Sequence, residues 1–373
     1  MGSKSFSAPD IKERNIRVVF TLARLQETLL RSDISQATGM TPPTVMKIVQ
    51  SFQEKKILID VGEASTRLGR KPKRLVFNPG AALAIGALFE GEIMHVGLVD
   101  LSGTVIDRIS IPMDHAYTAD TLPLLVEAIE KLSSRQTAPI LGIGLGMPGV
   151  VDSDRNIIEF APLIGIIKPY DCNDLIGTLQ SQTRLPVCLE NDVNAAAIGE
   201  FHFRKLTEED DLLYIAVGTG IGAGIILNGN LRRGSRNLAG ELGYAIENTG
   251  IQVRRDLPGW LESQIGLAAL QKKFNWQGYQ AGGTVPDGLV DFIGDHLAPL
   301  VANLTTQLDI KLVVLGGRAI DAIGQPLFDA LAKRIEWLSL EKGLIEQPCC
   351  TDAGVAGAAM QMISRQLDHW LNS

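Results

Sequence analysis

The chain has 373 residues, with 35 Lys+Arg against 42 Asp+Glu, 45% hydrophobic and 5% aromatic residues, 38 Gly and 4 Cys. That length exceeds one compact core and predicts two or three globular units. No uncharged apolar run of about 18 residues occurs, and the N-terminus lacks the apolar stretch and small-residue cleavage site of a secretory signal, so the expectation is a cytoplasmic protein with no membrane association.

Charge is unevenly distributed. Residues 1–80 hold 14 Lys+Arg and 7 Asp+Glu, leaving 21 and 35 for residues 81–373. A basic head on an acidic body predicts a polyanion-binding module joined to a unit with another task. Residues 11–30 carry apolar side chains at helical spacing (Ile16, Val19, Phe20, Ala23, Leu29, Leu30), which predicts one helix with a buried face. Residues 32–45 then read as a short helix, a tight turn at Gly39, and a second helix capped by Thr41 with proline in its first turn. This is a helix-turn-helix pattern.

The second helix is expected to run to about Lys56 with Val45, Ile48, Val49 and Phe52 inward, leaving Thr41, Pro42, Pro43, Thr44 and Lys47 to meet base edges and phosphates. Two short strands, 57–61 and 75–78, flank a basic tip in which Arg67, Arg70 and Lys71 are the expected phosphate or minor-groove contacts of a wing. The segment lacks the exposed aromatics on which single-stranded bases stack, so the expected partner is double-stranded DNA, bound at an operator.

From residue 82 onward β-type runs alternate with helical ones. Residues 83–89, 93–100 and 104–111 predict a three-strand meander, 122–132 a helix and 140–147 a strand. The cycle restarts with strands at 212–217 and 223–227 around a glycine turn, a helix at 289–308, and a strand at 311–315 before Gly316 and Gly317. Two α/β lobes with a cleft between them fit this order. The turn Gly218-Thr219-Gly220-Ile221-Gly222 joins two strands, not a strand and a helix, so it fits a close approach to an anion and does not fit a dinucleotide fingerprint. Asn191 and Asp192 stand at a strand mouth before an alanine-rich helix, where a cap and a ligand for hydroxyl groups are equally served. Glu241 and Glu262 add carboxylates in loop-like sequence. Cys172, Cys188, Cys349 and Cys350 show no CxxC spacing and read as thiols of a reduced core.

The combination of a winged helix-turn-helix with Gly-Met-Pro-Gly-Val-Val-Asp (146–152), Glu-Asn-Asp-Val-Asn-Ala-Ala-Ala (190–197), Gly-Thr-Gly-Ile-Gly-Ala-Gly (218–224) and Ala-Gly-Glu-Leu-Gly (239–243) resembles the repressor branch of the ROK family (repressors, open reading frames, kinases). The resemblance implies an α/β fold, a winged head at 1–80 followed by a two-lobed actin-like, hexokinase-like (ribonuclease H-like) body. Its lobes are expected at 81–190 and 191–373, the C-terminal helix returning to the first. It implies sugar contacts at Asn191, Asp192, Glu241 and Glu262, with Tyr244 in place of a histidine and Leu163 in place of an asparagine. Asp192 matches the base that ROK kinases use on a sugar hydroxyl. Their Asp-x-Gly-x-Thr phosphate loop is altered here, with Leu88 and Glu92 at the aspartate and threonine positions, so ATP use is not expected and Asp192 is a vestigial base. Gly218, Thr219, Gly220 and Gly222 are the residual phosphate-type loop. Tyr244, Val253, Arg255 and Trp260 replace the four ligands of the family's structural zinc, so no metal and no cofactor are expected.

The resulting expectation is a homodimeric or homotetrameric transcriptional regulator, a repressor of carbohydrate metabolism without enzymatic activity. Its body senses a small carbohydrate or sugar phosphate. The alternatives are an ATP-dependent sugar kinase with an appended DNA-binding head, or a body that serves as a docking platform for another protein.

Overall fold

Apolar residues at helical spacing and a glycine stop define the head. In a computed structural model that describes residues 8–63, 73–113, 121–246, 250–251, 253–276, 284–339 and 343–372, helix α1 (Ala8–Leu25) is followed by α2 (Arg31–Thr38) and α3 (Pro42–Glu54). Gly39 ends α2 in the left-handed region at φ 68°, its N–H donating to Ser35 O, a conformation that glycine adopts without a Cβ penalty. Strands β1 (Leu58–Glu63) and β2 (Lys73–Phe77) pair antiparallel as the wing stem. The expected contacts Arg67, Arg70 and Lys71 lie outside the described residues.

Two local expectations need correction. Helix α1 stops at Leu25, short of residue 30, because Leu29 exchanges backbone hydrogen bonds with Leu75 (2.8 and 2.9 Å) and extends the wing sheet. Thr41 occupies the N-cap position of α3, but its hydroxyl bonds to Thr44 Oγ1 at 2.9 Å and makes no cap bond to the helix backbone.

The body contains two related sheets. The first has the order β10-β6-β3-β4-β5, built from the meander β3 (Leu83–Glu90), β4 (Ile93–Asp100) and β5 (Val105–Pro112), with β6 (Ile140–Met147) and β10 (Val187–Asn191) added in parallel. Helices α4 (Thr121–Ser133) and α5 (Asn173–Thr183) cover one face. A small sheet of β7 (Val150–Asp152), β8 (Ile157–Phe160) and β9 (Tyr170–Asp171) lies beside the cleft. The second large sheet, β13-β12-β11-β14-β15, repeats the pattern: β11 (Leu212–Val217), β12 (Ile221–Leu227) and β13 (Asn230–Leu231) form a meander, and β14 (Leu312–Gly316) and β15 (Leu344–Glu346) join in parallel. Helices α7 (Trp260–Ile265), α8 (Leu267–Phe274), α9 (Leu289–Leu308), α10 (Arg318–Ile323) and α11 (Gln325–Leu338) complete this lobe.

Helix α6 (Asp192–Phe203) and the C-terminal helix α12 (Ala353–Asn372) cross between the sheets. Their approach is close enough to require glycine. An ideal Cβ at Gly86 of β3 would lie 1.9 Å from Val355 O, and one at Gly357 of α12 1.7 Å from Ala195 O. The far end of α12 reaches the head. Leu367 and Leu371 belong to the same buried cluster as Val19, Phe20 and Phe52. Ser51 Oγ donates to Leu371 O, Lys12 Nζ to Asn372 Oδ1, and Arg17 approaches Asp368 at 3.7 Å. One helix thus runs from the interlobe cleft to the DNA-binding-type module, with burial of apolar surface as the main cohesive term.

Candidate functional site: a carboxylate-lined cleft between the lobes

The strand-to-helix junction β10–α6 places the central side chains. Asn191 is the N-cap of α6, its Oδ1 accepting from Asn194 N at 2.8 Å, while Nδ2 donates to Gly149 O (2.9 Å) and Asp192 Oδ1 (3.0 Å). Asn191 therefore spends most of its bonding capacity on the chain itself. Behind it, Glu190 is 1% exposed, accepts from Asn191 N and Asn194 Nδ2, and forms an ion pair with Arg233. Arg233 carries no motif signature, and only its buried partner explains it.

Asp192 Oδ1 accepts from Val193 N at 2.9 Å and from Asn191, but burial dominates and pushes its carboxyl up to about 7, with Glu90 adding repulsion. Glu241 is raised to about 7 by burial and by the neighbouring Asp192 and Glu262 carboxylates, with no hydrogen bond lowering it. Glu262 is also raised by burial, although its Oε1 accepts from Ile221 N at 3.0 Å. Asn191, Asp192, Glu241, Tyr244 and Glu262 all line one cavity of about 750 Å³. Three half-buried carboxyls that face one cavity, with Asp192 and Glu262 both acting on Glu241, form a site suited to a ligand that supplies hydroxyl donors.

Gly218, Thr219 and Gly220 turn between β11 and β12 and face the same cavity. A Cβ at Gly220 would stand 2.8 Å from Glu262 Oε1 and displace that carboxylate. Gly222 lies in β12, where α6 packs on it: its Cβ would meet Val193 Cγ2 at 3.0 Å. The other wall holds Glu90, Gly91, Arg318 and Asp321. Asp321 is pushed up to about 6 by burial, with Glu90 adding to it. Glu90 is a site residue that motif reading overlooked, although its place at the end of the altered loop was visible. Leu88 fills the space between β6 and the start of α12, standing 2.6 Å from ideal Cβ positions at both Gly146 and Gly354. The apolar Leu88 offers no ligand to a metal ion at this position.

At the zinc position of related proteins, Tyr244 Oη donates to Leu257 O at 3.0 Å, Val253 is exposed, and Trp260 packs 6.0 Å from His296. Phenol, isopropyl, guanidinium and indole groups are not a zinc donor set. In the head, Thr41, Pro42, Pro43 and Lys47 are exposed and Thr44 half-buried.

The ROK family model matches residues 86–255. These residues belong to the ROK family. The ROK body is similar to the xylose repressor of Bacillus subtilis (strain 168), 28% identical over 237 residues, which is 63% of this chain. The match spans 60% of that repressor's length. A crystal structure of a ROK family transcriptional regulator, a homolog of the E. coli MLC protein, superposes with a TM-score of 0.75 over 97% of this chain and 98% of its own at 20% identity, and so shares the fold, head included. The ROK hexokinase from Thermus thermophilus superposes over 77% of this chain and 99% of its own, with a TM-score of 0.59 and 27% identity.

Proposed function

We propose that this ROK protein is a sugar-responsive transcriptional repressor. Its head binds duplex DNA through the exposed start of α3 and the wing, as a homodimer or homotetramer in the cytoplasm, because a helix-turn-helix reads paired half-sites about one helical turn apart. Its cleft takes a small carbohydrate or sugar phosphate on Asp192, Glu241 and Glu262, without nucleotide, zinc or phosphoryl transfer. The observation that carries the reading is the single helix α12, which begins in the cleft wall at Ala353 and ends in the core shared with the head. Differential binding to two arrangements of that helix shifts operator affinity, and only differential binding does so. The B. subtilis relative is named a xylose repressor, which makes D-xylose the first sugar to try.

The test is fluorescence anisotropy of the full chain on an operator fragment selected from genomic DNA, titrated with a panel of pentoses, hexoses and their phosphates. A sugar-dependent change in affinity supports the reading, and DNA binding indifferent to every panel member overturns the sensing half.

A sugar kinase with a head is the second reading. It is favoured by the proximity of the Asp192 pKa to neutrality, which suits a general base. ATP-dependent sugar phosphorylation abolished by Asp192→Asn would establish it over the repressor.

A further inference from the structure

The lobes meet on the carboxylate side of the cleft through direct side-chain contacts. Phe160 closes β8 of the first lobe and is 5% exposed. From the second lobe, the Tyr244 ring stands edge-on to it at 5.9 Å and 80°, and the Arg255 guanidinium lies 5.3 Å from its ring centroid. Among the described residues Arg255 has no ion pair, whereas its neighbour Arg254 pairs with Asp256. Arg255 thus reaches across to the Phe160 ring of the other lobe. A second touch lies nearby, where Leu163 of the first lobe stands 3.1 Å from an ideal Cβ at Gly220.

The stack is tied to the site. Tyr244 Oη donates to Leu257 O at 3.0 Å, and an ideal Cβ at Gly259 would sit 2.0 Å from Gly243 O, so the stretch leading into α7 lies flat against residues 243–244. Glu262 stands in the first turn of α7. The hydroxyl of Tyr244 is thus committed to the chain, and its ring faces the other lobe.

We propose that Arg255, Phe160 and Tyr244 form a clasp that holds the two lobes together over the carboxylate end of the cleft, with Tyr244 as a positioning residue that fixes the approach to Glu262. The clasp stands on interlobe geometry and does not depend on DNA binding or on the identity of a sugar. An edge-on aromatic pair and a partly exposed cation–π contact each bias a two-state equilibrium by a factor of roughly 2–10. The clasp therefore biases the cleft toward the closed arrangement, and a ligand enters through a more open one.

The experiment is a pulsed electron–electron distance measurement on the full ligand-free chain. Spin labels go on Glu130→Cys in the first lobe and Lys333→Cys in the second, with the exposed Cys349 changed to Ser. Arg255→Gln and Phe160→Leu are expected to lengthen and broaden the interlobe distance, raising the open population roughly two- to five-fold. Arg255→Lys, which keeps the cation, restores most of the closed distance. Tyr244→Phe keeps the ring contact and the distance, and speeds amide exchange across residues 257–262. Distance distributions for Arg255→Gln and Phe160→Leu that superpose on the parent would overturn the clasp. Because Arg255 is exposed, its variants report even where Phe160→Leu fails to fold. Unchanged exchange in Tyr244→Phe would overturn the positioning role.

Discussion

Replacing Asp192 by Asn should reverse part of the pH dependence of stability. Burial holds the Asp192 carboxyl at about 7 in the folded chain, against about 4 in an unfolded one. Between those values the folded state binds the additional proton, so the contribution of this group is fully present below the unfolded pKa and is lost as pH rises through 7. For a single carboxyl moving from 3.8 to about 7, the loss between pH 5 and pH 8 is about 2–3 kcal/mol. Asn keeps the acceptor for Val193 N and Asn191 Nδ2 and carries no charge at any of these pH values. Urea unfolding followed by tryptophan fluorescence at pH 5, 6, 7 and 8 should show the parent losing about 2–3 kcal/mol more than the variant across the range. Parallel pH profiles for the two proteins would refute the argument that burial raises this carboxyl more than its hydrogen bonds lower it.

Three further outcomes follow from named contacts. Lys47→Ala, at an exposed position of α3, should weaken operator binding and lower the slope of log K against log salt by about 1, read by anisotropy at several salt concentrations. Gly357→Ala forces a Cβ to 1.7 Å from Ala195 O and should cost about 3 kcal/mol or more by thermal melting. The control Gly177→Ala in α5, with nothing within 4 Å, should gain about 0.5–1 kcal/mol. Exhaustive dialysis against EDTA should leave the melting temperature unchanged, with elemental analysis finding no stoichiometric zinc, since Tyr244, Val253, Arg255 and Trp260 supply no donor set; loss of structure on chelation would contradict this.

Several features were legible because local chemistry and tertiary structure agree. The helix-turn-helix was readable from Gly39 and the inward row Val45, Ile48, Val49 and Phe52, all buried. Both lobe meanders follow their β-type runs, and the β10–α6 junction sits where Asn191 caps it. Strands β7, β8 and β9 escaped notice because two to four residues are too few to establish a period of two. The early stop of α1 was hidden because helical spacing continues to Leu30, and only pairing with Leu75, 46 positions on, overrides it. Within the cleft, the carboxylates could be named from motif likeness, but their mutual repulsion and the self-satisfied bonding of Asn191 exist only once the lobes are folded together. Arg233 needed three dimensions for the same reason.

The most direct measurement of the central claim is operator affinity with and without the sugar that binds the cleft, made on the unaltered chain and on Glu241→Gln, at one fixed salt concentration. Coupling between two sites typically amounts to a roughly 5- to 150-fold change. The account predicts a change in that range for the unaltered protein and its disappearance in the variant, with sugar-free DNA affinity preserved. An equal response in both proteins, or a sugar that fills the cleft and leaves the DNA affinity where it was, would contradict it.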